Sequence, residues 1–419
     1  MPATENMEEV MKRPLHPKLI KDVKRFEDAY IKLAEIDDGD AINSEFSVEP
    51  KAPTYTKQRL SELLGVSDER VGKAISSLEK ADEYVARDGG NRCQLTLDQA
   101  HKIITQFGIK SVAERRAETP DAHVLPVVSV TVAKGGVGKT HAALHLAVEA
   151  ALDPKRGRRV LLADFDVQGS IRHYLTSAGS SVDSIKSIHK LVKDNLNLSR
   201  EERLKPENQE LYRKYLLEEV IIESYIDNLS FIPSVLTDSH IPVLIAQALG
   251  NSSPELANTI IKDVVIEPLK NDFDLVVVDT GPSPDVFLTS ILYASNHLVI
   301  PTTPRRQDYR AYLQYLCLLG MTYGSLMPSD CEGVFTATSL ITKHQNRDDF
   351  NAVANRVSTS GSCFSARFLE NKKFEDASKD RVPLQFYDTS NTRGVRDALT
   401  SVRSVYSELD SLISLHEFK

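Results

Sequence analysis

Short apolar runs alternate with amphipathic segments along the chain from residue 124 onward. The runs at 127–132, 160–163, 275–278 and 298–300 consist mainly of Val, Leu and Ile. Parallel strands that are covered by helices on both faces of a sheet have this composition, because neither face meets water. The pattern therefore predicts an α/β domain over 124–419, with a mostly parallel, doubly wound sheet and helices on both faces.

The N-terminal part of the chain has a different pattern. Between Leu19 and Leu33, apolar residues recur at spacings of four and three, which predicts an amphipathic helix with a narrow apolar seam. Residues 1–46 are thus expected to form an all-helical arm. The seam allows two interpretations: a helix packed on its own domain, or an arm that makes a dimer contact with a second chain.

Residues 47–107 predict a compact unit of short elements. Two helices are joined at Gly65, a hairpin follows around 88–91, and a further helix begins at Thr96. A helix–turn–helix with a wing is typical of DNA-binding modules, although short helix pairs also occur in proteins that do not bind DNA.

The second helix of this unit has a polar face. Arg70 and Lys73 lie on that face, so they are candidate DNA-binding residues. The polar stretch 108–123 is interpreted as a linker to the α/β domain, and residues 184–226 as a charged, helix-rich insertion with a solvated surface.

Composition narrows the class of protein. The chain has 419 residues, of which 41% are hydrophobic and 26% charged, as in globular proteins of two or three domains. No run reaches the ~20 apolar residues of a membrane-spanning helix, and no secretory signal is predicted. The four cysteines form no Cys-x-x-Cys pair, so we expect a cytoplasmic protein without structural zinc. The net charge of -8 alone argues against nucleic-acid binding.

The clearest chemical signal follows the run at 127–132. Residues 134–140 read Lys-Gly-Gly-Val-Gly-Lys-Thr and precede a helical segment. In such a strand–loop–helix unit, backbone N–H groups hold phosphate, the second lysine reaches the β- and γ-phosphates, and the threonine hydroxyl binds Mg²⁺. We therefore predict an ATP/ADP site. Its residues are Lys134, Gly135, Gly136, Val137, Gly138, Lys139, Thr140 and His141.

Aspartates end two of the predicted strands. Asp164 and Asp166 follow the run at 160–163, and Asp279 follows the run at 275–278. The carboxyl ends of parallel strands form the edge where ligands bind, and carboxylates beside phosphates need a metal ion between them. Asp279 is therefore a predicted Mg²⁺ ligand, together with Thr140.

The early lysine of the loop, Lys134, resembles the deviant P-loop of the ParA/MinD family of ATPases. Asp-Phe-Asp-Val-Gln at 164–168 and Asp-Thr-Gly-Pro at 279–282 resemble later motifs of that family, in the same order. The resemblance implies a Mg²⁺-dependent ATPase that forms a homodimer around two nucleotides.

The same resemblance implies catalytic roles for three residues. Lys139 would act in its own subunit, Lys134 on the nucleotide of the partner subunit, and Asp166 on the attacking water. The resemblance also implies that Asp164 is a metal residue that supports the Mg²⁺ ion. Pro301, in Pro-Thr-Thr-Pro, matches the segment that frames the adenine.

The N-terminal extension makes the chain similar to the large ParA partition proteins. This similarity implies binding of non-specific DNA in the ATP state, stimulation by a ParB-type centromere-binding protein, and autoregulation of an operator through the helix–turn–helix. It implies a nucleoid-associated protein that uses no membrane, because the C-terminal amphipathic segment is acidic and is expected to pack on the sheet.

Two C-terminal segments match those that carry DNA-contacting residues in ParA relatives. They assign Arg347, Lys372 and Lys373, and Arg393 follows nearby in the sequence. Because phosphate contacts depend on local basic residues, an acidic net charge still permits them.

Two other functions are compatible with the sequence. One is a transcriptional regulator that senses ATP and has no segregation role. The other is a metabolic P-loop enzyme related to dethiobiotin synthetase, which would use a deep small-molecule pocket and have no use for residues 1–107.

Overall fold

The predicted strands form a sheet in the computed structural model, which describes residues 50–81, 83–176, 186–251, 254–387 and 393–418. The arm predicted over 1–46 lies outside the described residues. The strands are β1 Ala86–Arg87, β2 Cys93–Gln94, β3 Val127–Val130, β4 Val160–Phe165, β5 Ile222–Glu223, β6 Leu229–Ile232, β7 Leu275–Thr280, β8 His297–Thr302 and β9 Thr336–Ile341.

Helices connect and cover these strands. The α-helices are α1 Lys57–Leu64, α2 Asp68–Lys80, α3 Leu97–Gln106, α4 Val112–Glu118, α5 Lys139–Ala151, α6 Arg172–Leu175, α7 His189–Asn195, α8 Arg200–Arg203, α9 Pro206–Tyr215, α10 Ile241–Asn251, α11 Pro254–Asn258, α12 Val286–Ala294, α13 Arg306–Ser325, α14 Asp348–Ser360, α15 Lys372–Lys379 and α16 Arg393–Ser414. Short 3₁₀ turns occupy Pro120–Ala122, Leu236–His240, Glu267–Leu269 and Leu384–Phe386, and π-helical turns occupy Leu216–Val220 and Lys262–Ile266.

The central sheet has the strand order β5–β6–β4–β7–β3–β8–β9. Every neighbouring pair is parallel except the edge pair of β5 with β6. The predicted fold class, a mostly parallel sheet within an α/β domain, is confirmed. The register places Asp164 of β4 directly opposite Asp279 of β7, so these two carboxylates meet at the carboxyl edge of the sheet.

Burial on both faces explains the composition of the strands. All residues of β3, β4, β7 and β8 are buried. One apolar cluster joins β4 and β7 to helices α7 and α10–α12, and another joins β8 and β9 to α13 and α14. The strands therefore carry apolar residues at successive positions rather than in alternation.

The insertion is more deeply packed than the sequence suggested. Arg203 of α8 is fully buried, and its Nη1 lies 3.3 Å from a carboxylate oxygen of Asp263, which is also fully buried. The Tyr212 hydroxyl donates to the side chain of Asn195 at 2.6 Å. The expected solvated helical surface is therefore wrong for these residues, because a buried ion pair and apolar contacts hold α7–α9 against the core.

The unit at 50–107 has its own apolar core beneath α1, α2 and α3. Gly65 ends α1 in a left-handed conformation with φ 64°, which a glycine adopts without steric cost. Thr96 and Gln99 form a capping box at the start of α3. Strands β1 and β2 pair in antiparallel register.

The stretch interpreted as a linker contains a fixed helix. Ser111 and Glu114 form a capping box that begins α4. The backbone N–H of Val112 donates to the Arg156 carbonyl at 2.8 Å, and Arg116 pairs with the buried Asp274 at 2.9 Å. These contacts attach 111–118 to the α/β body, and all described residues belong to one compact unit.

The C-terminal helix α16 packs against helices α5 and α15. Asp410 accepts from both Arg156 and Arg158, and Glu417 accepts from the fully buried Arg158 at 2.9 Å. Among the described residues, no helix combines the length and the apolar composition that crossing a bilayer requires.

Candidate nucleotide site

The loop between β3 and α5, residues 134–140, is the phosphate loop. Gly136 and Gly138 have φ of 77° and 87°, a left-handed conformation that a side chain would oppose. Gly138 caps α5 without a side-chain hydrogen bond. The loop therefore turns sharply into the helix N-terminus, where backbone N–H groups and the helix dipole favour an anion.

The two lysines of the phosphate loop lie in different environments. Lys139 is buried, and its Nζ donates to the Lys134 carbonyl at 2.9 Å, across the loop. Burial lowers the pKa of Lys139, while the carboxylates of Asp279 and Asp166 raise it. The ammonium thus has two carboxylates near it at the place where a phosphate would bind.

Lys134 directs its ammonium out of the loop. Its side chain is 40% exposed, and its Nζ lies 3.8 Å from a carboxylate oxygen of Asp308 in the first turn of α13. Asp308 is buried and also accepts a hydrogen bond from the Thr303 hydroxyl. The Lys134 ammonium is therefore partly exposed beside α13, where its ion pair is one long contact rather than a bond to the phosphate-binding backbone.

Asp279 is the least satisfied polar group near the phosphate loop. It is fully buried, and neither carboxylate oxygen has a hydrogen-bond partner of normal geometry among the described residues. Burial, and then the negative charge of Asp166, raise the pKa of Asp279 to about 7, although Thr140 and Lys139 lower it. A buried carboxylate in this state is stabilised by a cation.

The other two aspartates shape the loop after β4. Asp164 is buried and accepts hydrogen bonds from the backbone N–H groups of Asp166, at 3.2 Å, and Ile171, at 3.3 Å. Burial, followed by the charge of Asp279, raises the pKa of Asp164 well above its usual range. Asp166 accepts from Gln168 N–H at 3.1 Å and lies beside Gly281, which follows β7.

These residues fit a magnesium ion. The fit rests on the orphaned carboxylate of Asp279 next to the Thr140 hydroxyl, since Mg²⁺ in nucleotide sites uses one or two protein oxygens together with phosphates and water. Asp164 is the weaker of the predicted ligands, because backbone N–H groups already occupy both of its oxygens. The described residues hold no group of three His, Cys, Asp or Glu side chains placed to bind a metal by themselves.

His141 and Pro301 occupy the flanks of the site. His141 stacks on His145 with ring centroids 6.2 Å apart and meets the edge of Phe374 at 6.3 Å. Burial and the charge of Lys343 lower the pKa of His141. Pro301 is buried within β8, opposite Leu340 of β9, so its backbone continues the sheet.

Three residues that contact the phosphate loop could not be recognised from the sequence. The Thr342 hydroxyl donates to the Val137 carbonyl at 2.7 Å, and Lys343 Nζ donates to the Gly136 carbonyl at 2.8 Å. Both follow β9 and lie about 200 residues away in sequence. Asp308 is a third such residue. Only the parallel order of β3, β8 and β9 brings these side chains to the loop.

The candidate DNA-binding residues of the α/β domain lie on adjoining segments. Arg347 precedes α14 and pairs with Asp349 at 3.0 Å, and Lys373 in α15 pairs with Asp376 at 2.8 Å. Lys372 and Arg393 are exposed. Asn371 Nδ2 donates to the Gly394 carbonyl at 2.8 Å, which joins the starts of α15 and α16. We call Arg347, Lys372, Lys373 and Arg393 the basic patch.

The candidate residues of the N-terminal unit are on the outer face of α2. Arg70 and Lys73 are both exposed. Lys73 pairs with Glu69 at 2.7 Å, with both side chains more than three-quarters exposed. The Arg70 guanidinium lies 5.3 Å from the centre of the Phe107 ring. Exposed pairs of this kind are weak, so both cations are accessible to a phosphate.

A cavity of about 670 Å³ lies between α10, α12 and α13, and its lining contains no residue of the phosphate loop. Its lining is mainly hydrophobic, with residues such as Val243, Leu292 and Leu319. The carboxylate of Asp285, at its rim, accepts from Leu288 N–H at 3.0 Å and begins α12. Small-molecule sites combine apolar walls with several convergent polar groups, whereas polar chemistry here lies around the phosphate loop.

The fold and the phosphate loop define a P-loop nucleotide-binding protein. Residues 125–312 match the family model described as an AAA domain, AAA_31. Plasmid partition protein A of Escherichia coli is 26% identical over 302 residues, which cover 70% of this chain and 71% of its own length. Protein SopA of E. coli K12 is 27% identical over 277 residues, covering 64% of this chain and 65% of its own.

A solved structure of a partition protein has the same fold. It superposes with a TM-score of 0.60 at 20% sequence identity, over 93% of this chain and 99% of its own. The α/β domain is thus similar in sequence to ParA-type partition proteins and shares their fold, and the predicted resemblance is confirmed.

Proposed function

We propose that the protein is a DNA-partition ATPase whose subunits dimerise around bound Mg²⁺-ATP. The relatives named as partition proteins support this function. The observation that carries it is the separation of the two loop lysines, since Lys139 spans its own loop whereas Lys134 lies at Asp308. A lysine that does not bind in its own loop is free to reach a nucleotide held by a second subunit.

The chain's own residues would divide the chemistry. The phosphate-loop N–H groups and Lys139 would hold the phosphates, and Asp166 would orient the attacking water. Mg²⁺, held by Thr140 and Asp279, would neutralise phosphate charge. The orphaned carboxylate of Asp279 supports this assignment, because its stability in the buried site depends on a cation.

DNA binding in the ATP state would use the basic patch. Its four residues lie on segments that hydrogen bonds join, and they are mostly exposed. Non-specific affinity rises steeply with the number of phosphate contacts. A dimer would present two copies of the patch to one DNA, so ATP would increase affinity by pairing two weak sites.

The 50–107 unit would supply a separate function, recognition of an operator through Arg70 and Lys73. Their exposure on α2 supports this, and a ParB-type centromere-binding protein would stimulate hydrolysis on the partition pathway. An ATP-sensing regulator is the second candidate, favoured by the same exposed helix. Under that candidate, substitution of Arg70 and Lys73 abolishes all function, whereas the partition ATPase loses repression and keeps segregation.

The variant Lys134→Gln tests the dimer proposal. We expect it to stay monomeric with Mg²⁺-ATP in sedimentation velocity and to hydrolyse ATP at least tenfold more slowly than the parent. Lys186→Gln is the matched control, because Lys186 is also an exposed lysine that pairs with a single carboxylate, that of Glu219. Dimerisation and hydrolysis by Lys134→Gln at parental levels would contradict the proposal.

A further inference from the structure

The loop that follows β9 connects the phosphate loop to the basic patch. On one side, Thr342 and Lys343 donate to the carbonyls of Val137 and Gly136, at 2.7 and 2.8 Å. On the other side, His344 N–H donates to the Phe368 carbonyl at 3.0 Å. The loop then ends at Arg347, which begins α14.

The second side of this connection continues to the rest of the basic patch. Glu370 N–H donates to the His344 carbonyl at 2.9 Å, and Gln345 Nε2 donates to the Glu370 carboxylate at 2.6 Å. Asn371, the next residue, caps α15 and bonds to Gly394. Hydrogen bonds and short stretches of backbone therefore connect Gly136 to all three segments of the patch.

Lys343 occupies a strained position in this series. Its φ of 50° is left-handed, which is unfavourable for a residue with a side chain. Surrounding contacts must hold it there, and the longest-range of them is the bond from its own ammonium to the phosphate loop. This bond joins the Lys343 ammonium to a backbone carbonyl of the phosphate loop. A phosphate would bind in the same loop.

We propose that Lys343 is a positioning residue that makes the basic patch respond to phosphate in the nucleotide site. Its ammonium bonds the Gly136 carbonyl, and a phosphate in the loop, being anionic, would compete with that carbonyl for the same ammonium. When the Lys343 ammonium leaves the Gly136 carbonyl, the restraint on the left-handed backbone of Lys343 changes. The positions of Arg347 and of residues 368–373 then change as well. This inference rests on the proposed function, since it names how nucleotide and DNA binding communicate.

Hydrogen exchange with a non-hydrolysable ATP analogue tests the inference without DNA. In the parent we expect the analogue to change exchange at 343–347 and 368–373 as well as at the phosphate loop. In Lys343→Met, at saturating analogue, the phosphate loop should still respond while the change in the other two segments falls at least threefold. Lys343→Arg keeps the cation and should restore the response.

Lys343→Asn guards against a folding artefact, because asparagine tolerates the left-handed backbone but cannot reach Gly136. It should behave like Lys343→Met. Equal responses of 343–347 and 368–373 in the parent and in both uncharged variants would overturn the inference, as would the absence of any response there in the parent.

DNA binding then separates the inference from the proposed function. We expect the ATP-dependent gain in random-DNA affinity to fall at least tenfold in Lys343→Met. A loss that is the same with and without nucleotide, with a salt slope shallower by about one, would mean that Lys343 merely contacts a DNA phosphate, which overturns the inference. A coupled exchange response without any ATP effect on DNA affinity would overturn the proposed function alone.

Discussion

Helix α5 ends in two different ways. At its N-terminal end, the cap residue Gly138 has no side chain that could pair with the first N–H groups of the helix, and the nearby Asp279 has no hydrogen-bond partner of normal geometry in the described part of the chain. At its C-terminal end, the Leu152 carbonyl accepts from the Tyr55 hydroxyl, and the Pro154 carbonyl accepts from His101 Nδ1 at 2.8 Å.

The difference separates a binding site from an assembly contact. Buried polar groups are normally paired, so unmet groups at one end of a helix indicate a ligand. Hydrogen-bonded groups at the C-terminal end hold the 50–107 unit against the α/β body. One rigid helix therefore has the nucleotide site at one end and the candidate operator-binding unit at the other.

The largest effect is expected from removing the cation at the binding end. Lys139→Ala should weaken ATP binding roughly 30- to 150-fold, because a charge-assisted bond to phosphate contributes about 2–3 kcal/mol. Lys155→Ala, in the turn after the other end of α5, is the control and should bind ATP like the parent. Isothermal titration with ATP measures both. Equal losses in the two variants would remove the distinction between the ends.

An effect of intermediate size on the free energy of unfolding is expected from replacing His145, in the middle of α5. His145 is buried and its Nδ1 lies 2.9 Å from Gln385 Oε1. Burial, together with the charge of His141, lowers the pKa of His145 to about 3. The unfolded chain takes up this proton below pH 6.5 and the folded chain does not, so the stabilisation is complete above pH 6.5 and is lost as the pH falls toward 3.

His145→Gln should flatten this part of the pH profile. Between pH 6.5 and 4.5 the free energy of unfolding should fall less steeply than in the parent, by up to about 1.4 kcal/mol per pH unit. Urea unfolding at several pH values provides the measurement, and His240→Gln, at an exposed histidine, serves as control. Parallel profiles for the parent and His145→Gln would show that folding does not lower the pKa of His145.

The smallest effect is expected at the assembly end. Tyr55→Phe removes the hydroxyl that donates to Leu152 and should lower the free energy of unfolding by about 1 kcal/mol. ATP affinity should stay within about twofold of the parent. Tyr84→Phe, at a side chain that is 85% exposed, is the control and should leave stability unchanged. A large loss of ATP affinity in Tyr55→Phe would mean that the two ends are not separate.

Features that are local in sequence could be predicted. Residues 134–140 lie between one strand and one helix, so their role follows from a single turn of the chain. Asp164, Asp166 and Asp279 could be predicted as a group because parallel strands bring their carboxyl ends together. Buried runs on both faces of the sheet identified the fold class for the same reason.

Features that depend on distant pairing could not be predicted. Asp308 and Lys343 reach the phosphate loop only because β8 and β9 follow β3 in the sheet. The sequence places Arg203 on a solvated face, because nothing near it in the sequence indicates that it forms a buried ion pair with Asp263. The stretch 108–123 looked like a linker because its partners, Arg156 and Asp274, lie far along the chain.

Random-DNA binding by the full chain tests most directly whether ATP pairs two basic patches on DNA. The affinity is measured without nucleotide, with ADP and with ATP, over a series of salt concentrations. We expect at least tenfold tighter binding of DNA with ATP. We also expect a steeper dependence of affinity on salt, because two basic patches then release counterions together. The same affinity and the same salt slope in all three nucleotide conditions would contradict this expectation.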